Sequence, residues 1–144
     1  MKDFLLYPEA LALKELGFDE PCFGYFHDGK LSGVNKWDRK DWEFHIISNK
    51  DITNTIHEIV LAPTYSQAFR FFREKYDWQH SIDPTADQHS HKLGYNYWIW
   101  NYKTGEEHYT MPKNRPTGDW EYETYEEAEL ACLQKLIEIV KKAK

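Results

Sequence analysis

The sequence holds only two cysteines, Cys22 and Cys132, in 144 residues. That is too few for the disulfide framework that holds small secreted domains together. Their segments read as a strand and a helix core, so two buried thiols in a reducing, cytoplasmic setting are expected; the sequence leaves a bridge between them open. Long apolar runs are missing too. No stretch approaches the roughly 20 apolar residues of a membrane helix, so no membrane association is expected. Met1 to Pro8 lacks the apolar core of an export leader. Glycine is sparse: its seven copies stand singly, which argues against phosphate-cradling loops of the usual kinds. Nor is there a Gly-x-Ser-x-Gly, a Cys-x-x-Cys or a His-Glu-x-x-His. Positive charge is in deficit. Lys and Arg number 18 against 24 Asp and Glu, a net charge of −6. The basic residues scatter, so the phosphate backbone would repel the chain and no nucleic-acid partner is expected.

Aromatics, in contrast, are plentiful: 6 Trp, 10 Tyr and 8 Phe. Such a number can fill a core and still leave rings for a recognition surface. A chain of this length hides roughly 70% of its unfolded surface without help from a metal or disulfide. The expectation is a single α+β domain over 1–144, with a mostly antiparallel sheet packed on three helices.

The spacing predicts a first helix from Pro8 to Leu16, ended by Gly17 as a left-handed cap with Phe18 folding back. Cys22 to His27 reads as a strand, Asp28-Gly29 as a turn, and Lys30 to Lys36 as the returning strand. Trp42 to Ile47 and Ile56 to Leu61 read as further strands. Thr64 and Gln67 have capping-box spacing and open a second helix with an apolar face of Ala68, Phe69, Phe71, Phe72 and Tyr76. Ser81 to Asp83 reads as a brief strand, followed by a loop over 84–94. Tyr95 to Tyr102 and Glu106 to Met111 form a hairpin. Thr124 and Glu127 repeat the capping box and open a last helix with an inner stripe of Ala128, Ala131, Cys132, Leu136, Ile139 and Val140. Thr64-Tyr65-Ser66-Gln67-Ala68 echoes Thr124-Tyr125-Glu126-Glu127-Ala128, and Tyr7-Pro8-Glu9-Ala10 is a partial third copy. Two readings stay open: a pseudo-duplicated helix–strands–helix–strands–helix order, or three good helix starts.

Leu11 to Cys22, Ala62 to Tyr76 and Thr124 to Leu133 resemble stretches of a group of small uncharacterised proteins of bacteriophages, prophages and Bacteroidetes-type gut bacteria. The likeness covers the three helices, about a third of the chain. It brings no activity and no functional residue with it. It implies a cytoplasmic accessory protein.

Several constellations deserve testing against the fold. His80, Asp83, Asp87, His89 and His91 could hold a divalent metal, since His89 and His91 point to one side of an extended segment; the alternative is a polar loop with exposed histidines. Cys22 with His27 or His45 could form a thiol–imidazole pair, whereas Cys132 sits on a buried helix face where a thiol is inert. No catalytic residue is assigned, no cofactor is expected, and the chemistry leans away from an enzyme. In the hairpin, a short turn ending at Gly105 pairs Tyr102 with Glu106, Trp100 with His108 and Trp98 with Thr110. Trp98, Trp100, Tyr102 and His108 then share the face opposite Tyr97 and Ile99. The solvent side of an antiparallel sheet seldom carries two tryptophans. Another segment, such as that around Trp120, could cover them; so could a host or phage protein, or a second copy of the chain. A sugar or base could stack on them. The expected role is therefore a non-enzymatic protein-interaction module. A metal-dependent enzyme built on His80, His89 and His91, and a sugar- or nucleotide-binding module, are the alternatives.

Overall fold

The computed structural model describes residues 3–32, 59–87, 89–110 and 120–144. They form three helices and two three-stranded antiparallel sheets, an α+β fold. The order is α1 (Tyr7–Glu15), β1 (Gly24–His27), β2 (Lys30–Ser32), β3 (Ile59–Ala62), α2 (Tyr65–Tyr76), β4 (Trp78–Ala86), β5 (Leu93–Asn101), β6 (Glu107–Tyr109) and α3 (Tyr125–Lys142). The strand expected at Trp42 to Ile47 lies outside the described residues. The chain packs as two compact units, Met1–Ala68 and Phe69–Lys144, and α2 runs across their boundary.

In the first unit, Pro8 sits in the first turn of α1, where its missing N–H costs nothing. Gly17 ends the helix at φ +91°. Its N–H donates to the Lys14 carbonyl (3.0 Å) and that of Phe18 to Leu13 (2.9 Å), the left-handed closure that returns Phe18 to the core. Asp28 and Gly29, at φ +48° and +75°, make the two-residue turn between β1 and β2. Positive φ at both positions matches the twist of the paired strands. β3 pairs with the other edge of β1, giving the order β2-β1-β3. The capping box before α2 is formed: Gln67 N–H donates to Thr64 Oγ1 (3.3 Å) and Thr64 N–H to Gln67 Oε1 (3.1 Å).

In the second unit, β4, β5 and β6 form a meander in that order. β4 is nine residues long, far more than the brief strand expected at Ser81 to Asp83, and the expected loop over 84–94 contracts accordingly. Pro84 suggests a loop, but β4 is an edge strand, where a proline need not break a ladder bond. α3 starts with Thr124 and Glu127 in a complete capping box and lays Ala128, Cys132, Leu133, Leu136 and Val140 into the core against β4 and β5. Glu126 and Glu127 in its first turn and Lys141 and Lys142 in its last complement the helix dipole. Leu133 and Ile137 are buried while Ala131 and Ile139 are half-buried, so the stripe is rotated slightly from the expected one.

The described elements follow the helix–strands–helix–strands–helix order. The two sheets are nevertheless not copies of one another. One places its first strand in the middle; the other is a simple meander. The echo between Thr64 and Thr124 is thus an echo of capping chemistry.

Candidate functional site

β5 carries the densest run of rings in the described chain: Tyr95, Tyr97, Trp98 and Trp100. Side chains alternate along a strand, so its two faces separate cleanly. Ile99 is fully buried on the core side. Trp98 and Trp100 point the other way, their ring centroids 4.9 Å apart and their planes tilted by 40°. Trp98 is 40% exposed and Trp100 is half-buried.

The register of β6 corrects the sequence expectation by one residue. Trp98 pairs with Tyr109, Ile99 with His108 and Trp100 with Glu107. The cause is Asn101. Its Oδ1 accepts the N–H groups of Lys103 (3.0 Å) and Thr104 (3.1 Å). Its carbonyl accepts Gly105 N–H (2.9 Å), and its own N–H donates to the Glu106 carbonyl (2.9 Å). The loop therefore has four residues, 102–105, with Gly105 at φ +74° in the left-handed position. One extra loop residue slips the partner strand by one and turns each of its side chains to the opposite face.

His108 and Tyr102 consequently leave the tryptophan face. His108 lies opposite Ile99, 5.9 Å from the Trp78 ring, with Nε2 2.8 Å from Glu106 Oε1. Tyr102 sits in the turn and donates its hydroxyl to Asp77 Oδ1 (2.9 Å). Lys103 Nζ lies 2.9 Å from Asp77 Oδ2. The Lys103 hydrogen bond first, and that of Tyr102 second, hold the Asp77 carboxyl below its ordinary range. Glu107 and Tyr109 take the vacated places beside the indoles, and Tyr109 is 54% exposed. β4 completes the face with Gln79 opposite Trp100, Ser81 opposite Trp98 and Asp83 opposite Asn96. Ser81 Oγ donates to Asp83 Oδ2 (3.0 Å).

One end of the face is closed. Trp120 is buried against Gly94 so tightly that a Cβ there would stand 1.9 Å from the indole Cγ. Tyr95 and Tyr122 exchange two backbone hydrogen bonds (2.8 and 3.1 Å), and Glu121 N–H donates to Asn96 Oδ1 (3.0 Å). The Trp120 segment thus covers the Gly94 end and leaves Trp98 and Tyr109 open to solvent.

The expected metal-binding residues are dispersed. His80 lies opposite Ile99 on the core side and stacks on Phe69 at 3.7 Å and 9°. Burial, and then the charge of Arg73, push its imidazole down to about 4, so the ring is neutral at pH 7. Asp83 is on the tryptophan face. Asp87 shapes the β4–β5 turn: its Oδ1 accepts His89 N–H (2.8 Å) and its Oδ2 the Ser90 hydroxyl (2.6 Å). His89 and His91 are exposed in that turn. Among the described residues no three His, Cys, Asp or Glu side chains are gathered as metal ligands. This turn repeats the Asn101 design. Asp87 N–H donates to the Lys92 carbonyl (2.9 Å), His91 N–H donates to the Asp87 carbonyl (3.0 Å), and His91, at φ +54°, occupies the position Gly105 holds in the other.

Both cysteines are free and buried. Burial first, and Glu20 second, push the Cys22 thiol up to about 12, and its Sγ donates to the Glu20 carbonyl (3.3 Å). Burial likewise raises Cys132. Neither thiol is set up as a nucleophile. His45 lies outside the described residues.

Sequence reasoning missed Glu107 and Tyr109, and it read Asp83 only as a metal ligand. One signal was there: Asn101 stands four residues before Gly105, and Asn side chains close turns by accepting backbone N–H groups two residues on. Among the described residues, no helix is long and apolar enough to cross a membrane. Comparison with family models, with curated proteins and with solved structures returned no significant match.

Proposed function

We propose that the chain is a non-enzymatic protein-interaction module that engages its partner through the solvent face of the β4–β5–β6 sheet. The observation that carries this reading is the exposure of Trp98 and Tyr109 as a cross-strand pair beside Trp100. Large rings are costly to leave in water, and exposed clusters of them mark contact surfaces. Tryptophan and tyrosine are also the residues that most often dominate binding energy when a partner covers them. The helix segments that resemble small phage and prophage proteins support placing the chain among accessory proteins of phages or mobile elements. Its two free, buried thiols support a cytoplasmic setting.

The test is affinity capture from a lysate of the source cell, with wild type beside Trp98→Ala/Trp100→Ala. The captured protein is then purified and bound again alone. Circular dichroism and melting establish that the double variant is folded. A direct partner lost by the folded variant is the expected result. A partner retained at full affinity would move the contact surface elsewhere.

A further inference from the structure

We infer that the occupant of this face is a basic segment of a partner protein, presenting lysine or arginine side chains to the indoles. The inference rests on the proposed interaction role and names the chemistry of the partner. Beyond its covered Gly94 end, the described residues of the face are Gln79, Ser81 and Asp83 on β4, Asn96, Trp98 and Trp100 on β5, and Glu107 and Tyr109 on β6. Two of them are carboxylates, both exposed, and none is a cation. Glu107 lies directly across from Trp100, and such cross-strand pairs stand about 5 Å apart. A cation over either indole therefore finds a carboxylate within side-chain reach. Attraction to the ring face and to the carboxylate act in the same direction. The net charge of −6 would draw a basic segment toward the molecule from a distance.

Ring geometry separates this occupant from a sugar that spans both indoles. A pyranose stacking on both indoles needs a common plane. Planes tilted by 40° with centroids 4.9 Å apart do not offer one. A cation needs only a single ring, and Trp98 is 40% exposed.

The test is fluorescence anisotropy with the whole chain and a labelled peptide that alternates lysine and arginine with serine. The control peptide carries acetyl-lysine and citrulline at the same places, so shape is retained and charge is removed. The basic peptide should bind about tenfold more tightly than its neutral counterpart, and less tightly as salt is raised. Trp98→Leu should weaken binding about fivefold, and Glu107→Gln with Asp83→Asn about threefold or more. Both carboxylates are exposed and their substitutions nearly isosteric, so a melting curve should match wild type. Equal binding of the two peptides would overturn the inference. So would no binding at millimolar peptide, an unchanged affinity in E107Q/D83N, or saturable binding of cellohexaose at the same face. A captured protein partner that needs Trp98 and Trp100 but is indifferent to E107Q/D83N would refute the basic occupant and leave the interaction role standing.

Discussion

Gly94→Ala should be among the most damaging single-methyl substitutions available in this chain. The added Cβ would stand 1.9 Å from Trp120 Cγ and 2.1 Å from Cδ1 and Cδ2. Gly94 lies in β5, where its φ is not in the left-handed region, so alanine suits the backbone and only the collision remains. If the indole were expelled, roughly 200 Å² of apolar surface at about 25 cal/mol per Å² would cost about 5 kcal/mol. A strained accommodation costs about 1–3 kcal/mol. The expected loss is therefore about 3 kcal/mol, or a fall in Tm of roughly 6–12 °C for a chain of this size. Thermal and denaturant unfolding followed by circular dichroism measure it. A double-mutant cycle identifies the cause. Trp120→Ala alone should cost about 3–5 kcal/mol. Once the indole is gone the extra methyl has room, so the double variant should be no less stable than Trp120→Ala. A coupling energy of about 2 kcal/mol or more is expected. An unchanged Tm for Gly94→Ala, or strictly additive losses, would refute the contact between Trp120 and Gly94, and with it the cover at that end of the face.

The paired turns allow a reciprocal test. Gly105→Ala, at φ +74° with nothing within 4 Å of the new Cβ, should cost about 1 kcal/mol from backbone conformation alone, whereas His91→Gly, relieving φ +54°, should gain up to about 1 kcal/mol, both read from denaturant midpoints. Asn101→Ala should cost about 2 kcal/mol, since two turn N–H groups lose their acceptor and the bond from Asn101 Nδ2 to the Tyr76 carbonyl (3.1 Å) is lost; an unchanged midpoint would contradict its control of the turn. His80 titrates near 6.5 when unfolded and at about 4 when folded, so the unfolded chain binds the extra proton first as pH falls. The contribution is complete well above pH 6.5 and is lost between about 6.5 and 4; that fall, at about 1.4 kcal/mol per pH unit, sets an upper bound of about 3 kcal/mol. His80→Phe, which keeps the stack on Phe69, should flatten the stability profile over that interval, and an identical profile would refute the neutral buried imidazole.

Most elements were legible because their determinants are local. Pro8 and Gly17 bound α1, Asp28-Gly29 turns the first hairpin, and the Thr–Gln and Thr–Glu boxes open α2 and α3. Each is decided by neighbours a few residues away. β4 was less legible, because whether Pro84 breaks a strand depends on whether that strand is at an edge, and edge position is a property of the sheet. The metal group failed for a similar reason. His80 and Asp83 are three apart, an odd step that puts them on opposite faces once β4 is continuous. His89 and His91 are held in a tight turn rather than on an extended segment, so their alternation is lost.

The candidate face shows how little separates a right reading from a wrong one in a hairpin. Tyr97 and Ile99 inward, Trp98 and Trp100 outward follow from alternation within one strand and need no partner. The identity of their neighbours does depend on the partner strand, and there a single side chain decides. Because Asn101 binds two turn N–H groups, the loop gains a residue and β6 is inverted. The chemistry of the face changes with it. A histidine beside the indoles would oppose a cation whenever it was protonated. A glutamate and a tyrosine beside them favour one at every pH where the carboxylate is charged. The character of the surface is thus set by the turn that joins its strands, and a substitution at Asn101 that restored the shorter loop would bring His108 back beside Trp98 and Trp100 and remove Glu107 from them.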